Sequence, residues 1–531
     1  MSLFDRAAGP PRGAGNGATT TADASARPRA RQPAGSEDGG AKFDYHRHWL
    51  VGQRLVLWCD ASAGAWRAMA DECPHRLAPL SEGLLAPGGS ELECAYHGWR
   101  FDGCGRCTRM PQAISAAGEA SACGSRRSRA AAFPVREGGG LIWVWANAGD
   151  DDAAAAAQLP MTRALREHCA AGGRVDWYRR VLPYSWDVAV ENLTDPAHLP
   201  HSHHGTMPGL RRELAVRMPF TRLPLGDADN NNTHNDPARA PGAAPGGAPP
   251  PPPPCAVPGA DAAAAFEFPS VQSERGACAF TPPCTIGHDY YAPGGAVVHQ
   301  QIFASPSAPG RTIVIAGTIE RPPPRAAAGG GGGAPARAAA AAAAALLEGL
   351  RPAPPAWRSC LSYNLVFDQD NAFLHKQDLL LKARGPGAWR SYYTPLQSDG
   401  LIAAARRWIQ GVGGGGPDYG GQAAPLPELT KRQVNDRWAQ HTAECTHCTA
   451  AAALLRRRVA FFRAAAAALS GLLWGLLGAL AAAGAAPPPA GAALAAAAAA
   501  AGAAGAAWAA ARGGALLREF DYVDFSHARN P

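Results

Sequence analysis

The sequence lacks a concentrated stripe of basic residues. Its 50 Lys and Arg residues only slightly outnumber its 43 Asp and Glu residues, and the formal net charge of +7 is spread along the chain. Proteins that bind nucleic acid usually gather such charge on one face or one helix. The sequence therefore gives no electrostatic case for nucleic-acid binding, although a mildly basic face is compatible with an acidic protein partner.

The sequence also lacks an apolar signal of the secretory type and the cysteine spacing of a secreted disulfide scaffold. Its 13 cysteines are odd in number, which favours a reducing compartment where some thiols serve metal or redox chemistry. Residues 1–40 show no hydrophobic periodicity and are rich in Ala, Gly, Arg, Ser and Thr. This composition fits an organelle transit peptide. Acidic residues are unusual in transit peptides, however, so a disordered leader is the alternative.

The length of 531 residues exceeds that of one ordinary core, so two or three domains are expected. Short apolar runs alternate with turn residues over 41–150 and predict a small antiparallel β domain. Residues 160–450 mix strands with helices and form a second expected domain. Two low-complexity blocks, about 226–262 and 321–356, interrupt it and are interpreted as surface insertions.

Some segments within these domains carry clear secondary-structure signals. The strand-like runs are Leu55–Trp58, Leu141–Trp145, Val297–Phe303 and Thr312–Ile315, and the helical stretches are 186–199 and 366–382. The whole pattern predicts an α+β protein with a β domain first and a mixed domain after it.

Two long uncharged runs lie near the C-terminus. Residues 464–486 follow a cluster of arginines, and residues 490–511 come after a break at Pro487–Pro489 and end at Arg512. At a rise of about 1.5 Å per residue, each run is long enough to cross a hydrocarbon core of about 30 Å. The runs predict a membrane anchor formed by a helical hairpin with both Arg-flanked ends on one side. Alanine-rich filler is the alternative interpretation.

Two short Cys–His pairs form the strongest motif in the chain. Cys73-Pro-His75 is followed by Cys94-Ala-Tyr-His97. In a Rieske 2Fe–2S centre, two thiolates hold one iron and two imidazoles hold the other. The alternative is a Cys2His2 zinc site, but C-x-H is tighter than the usual zinc spacing. A further C-x-x-C pair, Cys104 and Cys107, is interpreted as structural or incidental thiols rather than a redox pair.

A second metal site is predicted around Glu191–His204. Two His and one carboxylate on one face of an iron, with the opposite positions open, are typical of non-haem Fe(II) oxygenases. His198 and His203 are the proposed imidazole ligands, with His201 and His204 as rivals on composition alone. The third ligand must come from elsewhere in the chain. Within the predicted helix at Asp368–Gln377 we prefer Asp370 to Asp368.

Asp195 and Asn192 are predicted to support this site without binding the metal. A carboxylate three residues before a ligating His can accept a hydrogen bond from an imidazole N–H. If a cluster-ligating His of a neighbouring subunit donates to the same carboxylate, Asp195 becomes an electron bridge. Asn192 either lines the pocket or has a packing or capping role.

These segments together resemble the chloroplast pheophorbide a oxygenase family of Rieske non-haem iron oxygenases. The resemblance rests on Cys73–Gly83, Tyr96–Trp99, Gly103–Arg109 and Asp195–His198, and on Arg437–Cys448, which resembles the family's C-terminal CxxC segment before its membrane anchor. Relatives include the Rieske subunit of the chloroplast import translocon and chlorophyllide a oxygenase. The resemblance implies a chloroplast membrane, electrons from reduced ferredoxin, O2 as oxidant, and a homotrimer in which electrons cross between subunits.

The resemblance also narrows the expected activity. It implies oxygenation of a chlorophyll-derived ring by a stroma-facing catalytic domain, with ring opening of pheophorbide a and oxidation of a chlorophyllide both open. The main alternative is a redox-sensing subunit of the translocon, and a simple electron carrier is a weaker one. Cys445 and Cys448 are predicted to form a redox pair that thioredoxin can read, with ordinary thiols as the alternative.

Overall fold

A computed structural model describes most of the chain. The described residues are 2–5, 46–151, 154, 157, 159–206, 210–215, 221–223, 264–268, 275–291, 295–321, 355–419, 427–483 and 489–525. Both predicted insertions, about 226–262 and 321–356, lie almost wholly outside these residues. The chain divides into two compact units, the first comprising Met1–Pro324 with Leu374–Glu428 and the second Arg325–Phe373 with Leu429–Pro531. The predicted domain boundaries remain a prediction.

The N-terminal part of the first unit is built from short antiparallel strands. Their bounds are β1 Ser2–Asp5, β2 His46–Leu50, β3 Gln53–Asp60, β4 Ala65–Ala70, β5 Leu84–Leu85, β6 Leu92–Glu93, β7 Arg100–Phe101, β8 Cys107–Arg109, β9 Ala132–Phe133, β10 Val135–Gly138 and β11 Leu141–Val144. They form three sheets with the orders β2-β3-β4-β9, β5-β6-β7-β8 and β1-β11-β10. The predicted strands at 55–58 and 141–145 are β3 and β11, so the expected β domain is confirmed, with one short helix at Ala116–Gly124 added to its strands.

The apolar core of this region surrounds the two cysteine motifs. Val56, Trp58 and Phe101 are fully buried and pack in the same cluster as Cys73 and Cys94. Burying such large side chains contributes roughly 1.5–3 kcal/mol each. The core therefore packs against the two cysteines on their inner side and holds them in place, while the loops that carry them reach the surface.

The first residues of the predicted transit-like or disordered leader form a strand. Ser2–Asp5 forms β1, which pairs antiparallel with β11 from Ser2↔Val144 to Asp5↔Leu141. A run of four residues is too short for a period-2 pattern to be recognised, so its strand state is decided by backbone pairing with β11. The rest of the predicted leader lies outside the described residues.

A seven-stranded antiparallel sheet forms the second half of the first unit, as expected for the catalytic domain. Its strands are β12 Tyr178–Leu182, β13 Thr221–Leu223, β14 Ala264–Phe268, β15 Arg275–Thr281, β16 Thr285–Tyr291, β17 Val297–Ala308 and β18 Arg311–Arg321. Their order is β12-β18-β17-β16-β15-β14-β13. Phe303 on β17 and Ile313 and Ile315 on β18 pack with Trp143 of β11 in one buried cluster, so the sheet and the N-terminal strands share a core.

Helices surround the sheet and carry the predicted second metal site. They are α2 Arg163–Ala170, α3 Trp186–Leu193, α4 Leu199–Ser202, α5 Ala356–Arg384 and α6 Gly400–Gln410, whereas α1 Ala116–Gly124 packs against β8 in the N-terminal region. The helices predicted at 186–199 and 366–382 correspond to α3 and α5. The division between the two units falls inside α5, between Phe373 and Leu374, and α5 runs through it as one continuous helix.

The second unit ends in two long apolar helices. They follow the short helix α7 Lys431–Val434, and their bounds are α8 Thr446–Ala482 and α9 Ala490–Arg518. Both are long and apolar enough to cross a membrane, with mean hydropathies of 1.8 and 1.5 over their best windows. Where they pack together, a Cβ on Gly513 would lie 2.7 Å from Val459, and one on Gly502 would lie 3.0 Å from Leu469. Small residues thus allow the close helix approach that is common in membranes.

Candidate metal centres

Two loops in the N-terminal region repeat one backbone pattern around Cys73 and Cys94. In each loop the cysteine carbonyl accepts a hydrogen bond from the N–H four residues later, at 2.8 and 2.9 Å. Each cysteine N–H donates to the carbonyl five residues later, at 2.8 Å. The residue four positions after each cysteine has a positive φ, which is 58° for Leu77 and 71° for Gly98. The two loops therefore have equivalent backbone geometry and direct the sulfur atoms of Cys73 and Cys94 toward a common site.

The cysteines and histidines of these loops differ in exposure. Cys73 and Cys94 are 2% and 1% exposed, whereas His75 lies at the surface. The His75 ring lies 4.5 Å from the His97 ring at 68° and stacks on Trp99 at 4.5 Å and 6°. Two inner sulfurs and two outer imidazoles match the donor set of a Rieske cluster, with the imidazole-held iron outermost.

The ionisation of the bare cysteines is consistent with a metal site. Burial, together with the neighbouring Cys94, raises the pKa of Cys73 to about 11. Burial and the neighbouring His97 lower the pKa of His75, which favours the neutral imidazole that binds metals. Because the thiolate is the ligand form, a bound cation must supply the stabilisation that a buried sulfur anion loses by leaving water.

The C-x-x-C at Cys104 and Cys107 does not act as a contacting pair. Cys104 is exposed, whereas Cys107 is buried with its Sγ 3.4 Å from Cys123 Sγ. Burial raises the pKa of Cys107 to about 12, so this thiol stays protonated near neutral pH. The interpretation of the pair as structural thiols agrees with this geometry, but the partner Cys123 had no signal in the sequence.

The His-rich segment after α3 places two imidazoles side by side. Asp195 Oδ1 accepts from Ala197 N–H at 2.8 Å and caps the turn Pro196–His198. Helix α4 follows and brings His203 back, so that the His198 and His203 rings lie 5.3 Å apart at 66°. A capped turn followed by one helical turn therefore brings the two imidazoles close enough to bind one ion.

The rival histidines of this segment point elsewhere. His201 is exposed. His204 is buried, and its Nδ1 accepts a hydrogen bond from Arg212 N–H at 2.9 Å. A ring nitrogen used in this way fixes the chain after α4, so the geometry favours His198 and His203 as the ligand pair.

Helix α5 contributes the third ligand atom. Its second half is fixed in the first unit, because Ser185 N–H donates to Asp378 Oδ2 at 2.8 Å and His375 Nδ1 lies 2.8 Å from Pro183 O. Asp370 lies about one turn before this fixed stretch. Ligand atoms of His198, His203 and Asp370 all lie within 4.8 Å of one another.

Asp368, the rival carboxylate, is used differently. Its Oδ2 accepts from Arg437 Nε at 2.7 Å, and both side chains are almost fully buried, at 0% and 2% exposure. Two residues apart on a helix means a rotation of about 200°. Asp368 and Asp370 therefore face opposite sides of α5, and the ion pair leaves Asp370 as the ligand that the geometry favours.

Asp195 and Asn192 both lie beside His198. Asp195 Oδ2 is 3.6 Å from His198 Nδ1, and Asn192 Nδ2 is 3.4 Å from His198 Nε2. Asp195 is thus close enough to orient the imidazole, as predicted for a supporting carboxylate. Asn192 lies beside the other ring nitrogen, Nε2, and this position favours a pocket-lining role for Asn192 over a helix-capping role.

A buried ion triad that the sequence did not reveal holds α3. Arg406 of α6 contacts Glu191 through Nε at 2.8 Å and through Nη2, and its Nη1 contacts Asp187 at 2.6 Å. Although burial raises the pKa of Asp187, Arg406 lowers it overall. Burial raises the pKa of Glu191, and Arg406 only partly offsets this effect. The triad anchors the helix from which the His-rich segment emerges.

The predicted redox pair lies in a larger cluster of the second unit. Ligand atoms of Cys360, His441, Cys445 and Cys448 lie within 4.8 Å of one another. Hydrogen bonding with Cys360 and Cys448 lowers the pKa of the Cys445 thiol. Cys360 and His441 were not predicted, because only the fold brings α5 to the start of α8. The redox function of the pair remains a prediction.

Comparison with known proteins identifies two domains in the chain. Residues 36–118 match the Rieske [2Fe-2S] domain, and residues 280–387 match the pheophorbide a oxygenase domain. The chain is 29% identical over 471 residues to pheophorbide a oxygenase of Arabidopsis thaliana, covering 81% of this chain and 77% of the relative.

Two further relatives show the breadth of the group. Flavonoid 8-hydroxylase 2 of Ocimum basilicum is 27% identical over 412 residues, covering 76% of this chain and 70% of the relative. Protochlorophyllide-dependent translocon component 52 of Arabidopsis thaliana is 25% identical over 463 residues, covering 78% of this chain and 75% of the relative. All three relatives are described as chloroplastic.

Fold, cysteine loops and domain matches together define a Rieske non-haem iron oxygenase, an oxidoreductase that uses an electron donor and O2. Such an enzyme carries one Rieske 2Fe–2S cluster and one mononuclear iron. Within this class the chain is similar to the pheophorbide a oxygenases and carries a match to their domain at residues 280–387.

Proposed function

We propose that this chain is a membrane-anchored oxygenase that uses electrons from ferredoxin to oxidise a chlorophyll-derived ring. One observation carries the proposal, namely the approach of His198, His203 and Asp370 ligand atoms to within 4.8 Å of one another. Two imidazoles and one carboxylate on one side of an ion leave its other positions for O2 and substrate-directed chemistry. An electron carrier with a single cluster has no use for such a site.

The protein's own groups have distinct duties in this proposal. Cys73, His75, Cys94 and His97 hold the cluster, and the ligand triad holds the mononuclear iron. When bound, these two groups supply electrons and O2 activation. Asp195 positions His198 from 3.6 Å, and Asn192 lines the pocket beside the same ring. The buried triad around Arg406 holds α3 in place, so that the ligand pair keeps its geometry without substrate.

Electron entry through a neighbouring subunit is part of the same proposal. The cluster edge is open, because His75 is exposed and Leu77 and Tyr96 beside it are 69% and 60% exposed. An exposed apolar rim around a redox edge suits docking against another protein surface. We assign this edge to Asp195 of the neighbouring chain in a homotrimer, and to ferredoxin as the electron donor.

The two apolar helices support a membrane location. Large apolar side chains on α8 and α9 point outward, among them Trp474 at 73%, Leu494 at 73% and Trp508 at 66% exposure. Such exposure is costly in water and favourable in lipid. We propose that α8 and α9 cross a chloroplast membrane as a hairpin, with the arginines before 464 and after 511 on the stromal side.

The proposed substrate class follows from the relatives and from this anchor. Matched relatives include pheophorbide a oxygenase from two plants. A chlorin is wide, flat and largely apolar, so it partitions into lipid, and an anchored enzyme meets it there. Ring opening of pheophorbide a and side-group oxidation of a chlorophyllide both remain within the proposal.

Turnover of the full chain tests the function. The protein in nanodiscs would receive reduced ferredoxin, 18O2 and one of several substrates: pheophorbide a, chlorophyllide a, protochlorophyllide or a flavone. We expect a chlorin product with 18O by mass spectrometry and no flavone product. His203→Ala should abolish product and keep the Rieske electron paramagnetic resonance (EPR) signal, while His201→Ala, on the exposed neighbour, should keep both.

A redox-sensing subunit of an import translocon is the second candidate. It is favoured by the likeness to translocon component 52 and by the thiol cluster at the base of α8. If no chlorin supports O2 consumption while both iron sites are filled, the oxygenase proposal fails and this alternative stands.

A further inference from the structure

Four metal-binding side chains of the second unit meet at the start of α8. Cys360, His441 and Cys448 are 8%, 4% and 0% exposed, and Cys445 is half-buried. Their ligand atoms lie within 4.8 Å of one another, and Cys448 Sγ is 3.4 Å from His441 Nε2. These residues take no part in the oxygenase sites described above.

Each of the four residues is held by a separate local element. Cys360 is the fifth residue of α5, and His441 lies in a π-helical turn, Trp438–Thr442. Cys445 precedes α8, and its N–H donates to His441 O at 3.1 Å. Cys448 lies in the first turn of α8. A π-helical turn is rare and often occurs at functional positions, and here it directs an imidazole toward three sulfurs.

The donor set points to one closed metal ion. Three thiolates and one imidazole form one of the standard structural zinc sites, and four protein ligands leave no open position for catalysis. A tetrahedral ion with Zn–S of about 2.3 Å and Zn–N of about 2.0 Å sets its ligand atoms about 3.5–3.8 Å apart. The observed spacing agrees with a single ion, whereas a 2Fe–2S cluster divides its ligands between two irons and spreads them further.

We propose that Cys360, His441, Cys445 and Cys448 bind one structural zinc ion. This ion joins the start of α5 to the start of α8 and the turn before it, at the base of the apolar helix pair. Helix ends fray unless they are held, and the ion holds two of them at once. The site is therefore a clasp between the helix that carries Asp370 and the first apolar helix.

The zinc proposal and the redox-pair proposal differ in whether they require Cys360 and His441. A disulfide between Cys445 and Cys448 needs only those two residues and an S–S distance of about 2.05 Å. A zinc ion needs all four side chains, with the thiolates held by the metal. The two residues outside the C-x-x-C segment therefore decide between the ideas.

Metal analysis of the native full chain is the first test. Protein purified in detergent without added metal should contain about three irons, for one cluster and one mononuclear site, and about one zinc. X-ray absorption at the zinc edge, which does not detect iron, should show three sulfurs and one nitrogen. Three results in the protein as purified would each overturn the proposal. They are four irons without zinc, zinc bound mainly by oxygen, and a Cys445–Cys448 disulfide with no zinc bound.

Substitution of the residues outside the C-x-x-C segment is the second test. Cys360→Ser and His441→Ala should each lower the zinc content at least fivefold while the Rieske EPR signal remains. Cys104→Ser, which removes an exposed thiol elsewhere, should leave the zinc unchanged. Full zinc content in Cys360→Ser would contradict the proposal, and the zinc-edge spectrum of the native protein keeps the question decidable if a variant does not fold.

Discussion

Asp368 and Asp370 show how much two positions on a helix can differ. Asp368 pairs with buried Arg437 at 2.7 Å, while Asp370 lies with His198 and His203. The same carboxylate chemistry therefore serves packing on one side of α5 and metal binding on the other. Asp370 was preferred from the sequence, but the reason that excludes Asp368 is an ion pair visible only in the fold.

This pair of residues gives a metal-removal prediction. Asp370→Ala should lower the iron content from about three to about two per chain and leave the Rieske EPR signal intact, because only the mononuclear site loses a ligand. Asp368→Asn should keep the iron but destabilise the protein by about 3–5 kcal/mol, since Arg437 stays buried without its charge partner. Iron analysis with EPR and denaturant unfolding measure both. Iron loss in Asp368→Asn with none in Asp370→Ala would reverse the assignment.

Buried His288 gives a pH prediction. Its Nε2 donates to Leu193 O at 2.9 Å, and burial lowers its pKa to about 4, whereas an unfolded His titrates near about 6.5. Between these values only the unfolded chain binds the proton, so stability is full above about pH 6.5 and falls as the pH drops toward about 4.

Melting temperatures at pH 7.5, 6.5 and 5.5 would measure this slope. His288→Gln should reduce it, since an amide can still donate to Leu193 O but does not titrate. His201→Gln, at an exposed position, should leave the slope as it is. An equal slope in all three proteins would show that His288 is not its source.

Motifs of short range were predictable at this scale, and contacts of long range were not. Cys73 and His75 are neighbours in the sequence, so their chemistry can be read from spacing. Cys360 and His441, or Glu191 and Arg406, meet only because the fold brings distant elements together. No period or spacing in one sequence encodes such pairs.

At the scale of elements, α3 depends on one buried arginine. Arg406 neutralises Asp187 and Glu191, which occupy one face of α3 a turn apart. Arg406→Gln should destabilise the protein by about 3–5 kcal/mol, because Glu191 then remains buried without a cation and Asp187 keeps only Lys382 at 3.9 Å. Arg407→Gln, on the exposed face of α6, should change stability by less than about 0.5 kcal/mol. Denaturant unfolding of both variants measures the difference, and similar losses would refute the anchoring role.

Element type was easier to predict than element length. The strands at 55–58, 141–145, 297–303 and 312–315 were found from their apolar runs, and the structure confirms them as β3, β11, β17 and β18. Helix α8 begins at Thr446, well before the uncharged run at 464, because Ala, Leu and Arg are all good helix formers. The charged residues that end a membrane span do not end a helix.

At the scale of the whole molecule, the proposed trimer divides one reaction between two chains. A His97→Ala variant lacks a cluster ligand, and a His203→Ala variant lacks an iron ligand, so each alone should be inactive. If electrons cross between subunits, mixed trimers assembled from equal amounts should recover about one quarter of wild-type activity, since half the sites keep their iron and half of those adjoin an intact cluster.

The mixing experiment has a clear opposite outcome. Chains purified separately and mixed without exchange should remain inactive, which serves as the control. If co-assembled chains stay equally inactive although mass analysis shows mixed trimers, the electrons travel within one chain and the bridging role of Asp195 is wrong.

The continuity of α5 also limits how the gene can vary in length. Cys360 and Asp370 lie on one unbroken helix, and each inserted or deleted codon between them would turn one residue relative to the other by about 100° and shift it by about 1.5 Å. A single-residue indel would therefore misalign either the thiol cluster or the iron ligand. Natural variants of this stretch should differ by substitution and keep the ten-residue interval between the two positions.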